Sequence, residues 1–258
     1  MNSRLPQLLL PTSRCAAGVY RLAVDVATPL NSAKAEQIFT LIRFLAASGD
    51  RGAFPAPGTS PLASRFSITD ERLEASDRIT CTILGNGFDL YGFELLRNMG
   101  QRLERNDIVV RRIELSEPEV EGRRTHPKSE PVYENEFDAY PAVSPLVRFT
   151  LEGEAGNVGK MRRCLVELTT IVEANHLVHL TDWIYPWFRL LESGAFSMPI
   201  GLPTETDSFC GDVVLFDEQS IEIGINRFQA SETAWHALIN MLDTYWRTTP
   251  LISKVLID

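Results

Sequence analysis

The chain has no uninterrupted run of 18 apolar residues, so a hydrophobic helix long enough to span a bilayer is excluded. Its four cysteines, Cys15, Cys81, Cys164 and Cys210, are dispersed and form no C-x-x-C pair. Neither a zinc site nor a disulfide framework is therefore expected, and they read as small core residues. The one apolar run near the start, Leu8-Leu9-Leu10, sits between Pro6 and Pro11 and is too short for a secretory signal, which makes a cytoplasmic address the expectation. The nucleophile elbow G-x-S-x-G is missing, as are the phosphate-binding patterns G-x-G-x-x-G and G-x-x-x-x-G-K-[ST]. Gly85-Asn86-Gly87 has two of the required glycines and reads as a structural turn.

What remains is the composition of an ordinary globular protein: 258 residues, 44% apolar and 23% charged, enough for one large domain or two modest ones. The net charge of −9 is unevenly placed. Residues 1–125 carry 16 Lys and Arg against 15 Asp and Glu, a balance of +1, whereas residues 126–258 carry 9 against 19, a balance of −10. A duplex binder displaces counterions with a basic stripe, and the second half has none, so nucleic acid is not an expected ligand. An acidic half keeps a protein soluble, and it also suits a basic partner.

Period-two and period-3.6 patterns occur in the same order twice. Tyr20, Leu22, Val24 and Val26 alternate with polar residues as a strand; Asn31 then precedes Ile38, Leu41, Ile42 and Leu45 on one helical face. Ile79, Cys81 and Ile83 mark a strand with which residues 66–74 can pair, Asp89 opens a second helix, and 108–115 forms another strand. In the second half, 146–152 alternates as a strand, and Asn157 precedes Met161, Cys164, Leu165, Leu168, Ile171 and Val172 on a helical stripe. Strands at 213–216 and 221–225 then flank Asp217-Glu218-Gln219, Ser231 starts a helix, and 251–257 is the last strand. The expected fold class is α+β: two tandem ferredoxin-like βαββαβ units, each an antiparallel sheet with helices on one face. The expected limits are 16–117 for the first unit, an acidic Pro-rich linker over 118–144, and 145–258 for the second, with an insertion at about 175–211. Pro186 is expected to start a short helix in that insertion and Gly194 to end it.

Candidate chemistry is sparse. Glu173, His176 and His179 follow one another at three-residue spacing and are the weak candidates for a metal, although no fourth ligand is identifiable. His176 and His179 are also where an axial haem ligand would have to come from. Only His179-Leu180-Thr181 matches H-x-[ST], so a two-histidine phosphodiesterase lacks its second motif. A guide-RNA-processing endonuclease lacks its Gly-rich basic loop, since residues 226–258 hold only Arg227, Arg247 and Lys254 as cations. No catalytic residue and no cofactor are expected. Aromatic and acidic residues do concentrate: Trp183, Tyr185, Trp187 and Phe188 beside Asp182, then Glu205, Asp207 and Asp212, and in the linker Glu134, Glu136 and Asp138 among Tyr133, Phe137 and Tyr140. Rings that supply buried area and carboxylates that steer a cation are what an anchor for a basic protein uses. The plainer alternative is that the rings pack the inserted helix onto the second sheet.

The WIYPWFRLL stretch at Trp183–Leu191, the acidic second half and the lack of catalytic groups resemble bacterial toxin-neutralising immunity proteins of the polymorphic or secreted-effector type. The resemblance implies a non-enzymatic protein that binds a cognate toxin, often a basic nuclease, through Trp183, Tyr185, Trp187, Glu205, Asp207, Asp212, Glu134, Glu136 and Asp138. No membrane and no nucleic-acid partner are expected, and the chain is expected to be a monomer or homodimer. The competing class is an enzyme or a small-ligand or metal binder that uses a cleft between the two units.

Overall fold

Alternation builds the first sheet as expected. In β2 (Cys15–Val26), following the short β1 (Gln7–Leu10), Tyr20, Leu22, Val24 and Val26 are buried on one face. α1 (Ser32–Asp50) starts where Asn31 accepts the Lys34 N–H at 2.9 Å, and it buries Ile38, Phe39, Ile42 and Leu45. β3 (Arg65–Ala75) and β4 (Arg78–Asp89) form a hairpin; Asp89 caps the next turn by accepting the Tyr91 N–H at 2.9 Å. α2 (Glu94–Arg102) and β5 (Val110–Ser116) follow. The computed structural model describes residues 5–117, 130–132, 148–151, 161–197, 209–227 and 230–257. The chain divides into two units, Met1–Asp138 and Ala139–Asp258.

The first sheet runs β3-β4-β2-β5-β1-β6, with β2 antiparallel to both β4 and β5. It has six strands where four were expected. β1 lies upstream of the expected start at residue 16 and runs parallel to β5; β6 (Glu130–Val132) comes from the expected linker and runs antiparallel to β1. Under the helices Phe88 stacks on Phe66 at 4.3 Å between ring centroids and meets Phe93 at 5.8 Å and Phe54 at 5.9 Å. Gly49 is obligatory here, because a Cβ would lie 2.5 Å from the Phe88 ring. Gly85–Phe88 is part of β4 rather than a connecting turn: Gly87, at φ +63°, makes a bulge opposite Ala16 and Ala17. The other face carries a cross-strand ion ladder: Glu74 with Arg21 and Arg78, and Asp25 with Arg78 at 3.3 Å and Arg112 at 2.6 Å. These groups are partly exposed, so each pair contributes at most about 1 kcal/mol.

The second unit departs from expectation near its beginning. β7 (Arg148–Leu151) is followed by β8 (Arg162–Leu168), which occupies the place of the helix expected after Asn157. Arg162, Cys164, Val166 and Leu168 are buried at period two, whereas Met161 and Ile171, both expected to point inward, are 72% and 63% exposed. The start of that expected helix, including Asn157, lies outside the described residues. Among the described residues α3 (Ala174–Glu192) is consequently the first helix of this unit rather than an insertion. Pro186 lies inside it instead of starting it, while Gly194, at φ +75°, follows its end as expected. β9 (Phe209–Asp217) and β10 (Ser220–Arg227) form the expected hairpin; α4 (Thr233–Thr248) and β11 (Ile252–Ile257) complete the unit. The sheet order is β7-β11-β8-β10-β9, with β8 antiparallel to β10 and β11, and β7 parallel to β11. β9 is one edge. Among the described residues no helix is long and apolar enough to cross a membrane.

Candidate binding surface of the second unit

The metal candidates start α3 instead of converging on a site. Glu173 is the N-cap, and the His176 Nδ1 accepts the Glu173 backbone N–H at 3.1 Å as half of a capping box. His179 is exposed, and no three His, Cys, Asp or Glu side chains among the described residues are grouped to hold a metal ion.

Two of the three aromatic anchors are spent on packing. Trp187 is fully buried; its indole N–H donates to the Ala234 carbonyl at 2.7 Å, and its ring lies 5.8 Å from Trp235. Trp183 is half-buried, donates to the Met241 carbonyl at 2.9 Å and leans on Tyr245 at 5.7 Å. Both indoles therefore tie α3 to α4, and the assignment of Trp187 as a partner anchor is corrected. Buried rings with paired N–H groups hold the helix pair and offer nothing to a second protein. Tyr185 is different, at 50% exposed, and with Val178 and Asp182 it lies on the outer stripe of α3. Asp212 is exposed on β9. Glu205, Asp207, Glu134, Glu136 and Asp138 lie outside the described residues.

Sequence reasoning missed a run of three exposed apolar side chains in this unit. Val214, Leu215 and Phe216, consecutive on the edge strand β9, are 43%, 52% and 52% exposed. The run Val213–Phe216 read as an ordinary strand, and its place at the sheet edge depends on long-range pairing that no local pattern carries. Acids surround it: residues 211–226 contain Asp212, Asp217, Glu218 and Glu222 and neither Lys nor Arg. Asp217 accepts the Gln219 N–H at 2.8 Å, which, with a further bond from Ser220, holds its carboxyl below the usual carboxylate range. The edge is therefore anionic at neutral pH.

In the first unit Cys81 is buried. Burial, with a smaller contribution from the Glu71 charge, pushes the Cys81 thiol up to about 12, so it is no nucleophile at neutral pH. A shallow depression of about 410 Å³ in the first unit has Gly18, Val19, Leu84 and Gly85 in its lining and Arg65 beside them. One terminal nitrogen of Arg65 donates to the Leu62 and Ser64 carbonyls, at 2.8 and 2.7 Å.

No protein-family model matches the chain, and no curated protein matches it. Among solved structures, one described as a candidate glycine cleavage system transcriptional repressor is 8% identical, with 94% of this chain and 98% of that one covered and a TM-score of 0.22. A mutant of the ferredoxin protease FusC in complex with Arabidopsis ferredoxin is 13% identical, with 88% of this chain and 33% of that one covered, also at 0.22. At such scores neither likeness bears on fold or function.

Proposed function

We propose that this chain is a non-enzymatic acidic binding protein of the immunity type, which neutralises a basic bacterial toxin by occupying its surface. The observation that carries this reading is the combination on the second unit of exposed aliphatic and aromatic side chains, Val214, Leu215, Phe216 and Tyr185, with a 211–226 hairpin that holds four acids and no cation. Apolar contacts supply affinity there and the carboxylates supply steering. Within the same reading the scaffold is a tandem pair of ferredoxin-like units. Strand order supports this: taken as fourth, first, third and second, it is β5-β2-β4-β3 in one unit and β11-β8-β10-β9 in the other. Each fourth strand also takes an extra parallel strand, β1 or β7, from upstream. The test is neutralisation. The product of the gene adjacent to the coding sequence is expressed in a host alone and together with this chain. Growth arrest by the first, relieved by the second with formation of a one-to-one complex, is the expected result. Arrest that this chain does not relieve, or relief without any complex, overturns the reading.

A further inference from the structure

Resting on that reading, we infer that β9 receives an extended, basic segment of the partner as an additional strand of the second sheet. An edge strand leaves alternate backbone N–H and C=O groups unpaired in the sheet, and such groups template a further strand. β9 offers them together with three exposed apolar side chains. The register selects the sign of the guest. The shift between Ser220 and Ile221 pairs Asp217 with Ser220 and Val214 with Glu222, so Asp217, Val214 and Glu222 share one face of the sheet. Asp212 stands near the other end of the exposed run, and Glu218 follows in the turn. A segment with an apolar residue between two Lys or Arg residues four positions apart, the span from Ser220 to Gly224 that β9 covers from Asp217 to Asp212, places an ammonium or guanidinium at each end on the face of the acids. A second copy of this chain is disfavoured in the register that covers the whole exposed run. Antiparallel pairing of β9 with itself about a two-fold axis between Val214 and Leu215 sets Asp212 opposite Asp217 of the other copy twice, and like charges directly opposite are destabilising.

The experiment titrates the protein into a labelled peptide, fluoresceinyl-Gly-Gly-Lys-Thr-Val-Thr-Lys-amide, and follows anisotropy. Saturable binding is expected, weakened about tenfold or more when ionic strength rises from about 0.05 to about 0.5 M. Binding is expected to be abolished by N-methylation of alternate peptide nitrogens and absent for the glutamate-flanked peptide. The Asp212→Lys/Asp217→Lys variant, with its circular dichroism unchanged, should reverse the preference and take the glutamate-flanked peptide. No saturable binding, equal binding of both peptides, or equal binding of the N-methylated peptide would overturn the inference. So would a doubling of mass in light scattering that Val214→Lys reverses, which would give β9 to a second copy. If that double variant still neutralises the toxin, the strand-addition inference fails while the function stands; if the unaltered chain neutralises nothing, the function fails first.

Discussion

Replacing Trp187 by phenylalanine separates a core role from a surface role for the most conspicuous aromatic stretch of the chain. The ring is fully buried and its N–H is satisfied by the Ala234 carbonyl. The substitution keeps an aromatic ring but deletes the hydrogen bond, at about 1 kcal/mol. It also leaves about 40 Å³ unfilled, which at roughly 24 cal/mol per Å³ costs about 1 kcal/mol more. The expected loss is about 2 kcal/mol. All four tryptophans, Trp183, Trp187, Trp235 and Trp246, lie in the second unit, so tryptophan emission follows the unfolding of that unit. With a urea dependence of about 2 kcal/mol per M, the midpoint should fall by about 1 M. Tyr185→Ala, on the same helix but half exposed, is the control and should cost less than about 0.5 kcal/mol. An unchanged midpoint for Trp187→Phe, or a larger shift for Tyr185→Ala, would refute the assignment of inward and outward faces to α3.

Glu94 and Arg97 form a buried ion pair on α2, at 0% and 3% exposed, where burial holds the guanidinium below its ordinary range. Glu94→Ala should cost about 3–5 kcal/mol and Glu94→Leu/Arg97→Met much less, read from thermal melts by circular dichroism; a single variant as stable as the parent would mean that the pair is solvated. At pH 8 Cys81 should resist alkylation in the native protein while the partly exposed Cys15 reacts, with mass spectrometry of digested peptides as the readout. Because the folded thiol titrates near 12 and the unfolded one near 9, its influence on stability is nil below about pH 9. Above that the unfolded state loses the proton first, so stability falls by up to about 4 kcal/mol as pH rises through 12. His176→Ala removes the acceptor of the Glu173 N–H and should cost about 1 kcal/mol with no change in response to added zinc; a zinc-dependent rise in melting temperature that the substitution abolishes would restore the metal reading.

The first unit was legible because its signals agree. Alternation in β2 and β4, the Asn31 cap and the α1 stripe all point to the same elements, and each is local. β1 escaped because four residues between prolines carry no periodic signal, and their partner, β5, lies about a hundred residues away in sequence. The second unit was misframed by an ambiguity of period. Met161, Cys164, Leu165, Leu168 and Ile171 fit a helical stripe, yet Cys164, Val166 and Leu168 fit a strand equally well. Pairing with β10 and β11 decides between them, since the strand on either side supplies the backbone partners that a helix would have found within itself.

The candidate surface moved for a related reason. In α3 the buried positions Leu180, Ile184, Trp187 and Leu191 advance by four, three and four, while Val178, Asp182 and Tyr185 fall on the opposite stripe. That phase places Trp187 inside and Tyr185 outside, and it can be followed in the sequence once the helix is carried through Pro186; starting the helix at the proline cut the stripe in two. Alternation marks locally which face of a strand is buried, but not the strand's rank in the sheet. Ile221, Ile223 and Ile225 of β10 are buried because strands flank them on both sides, while Val214, Leu215 and Phe216, an equally apolar run one hairpin away, are exposed because β9 is last in the order. Exposure on a helix follows from angle, and exposure in a sheet from alternation and rank together. An apolar edge strand next to a tight turn is therefore a place where a sequence reading looks for core and the fold leaves the side chains exposed.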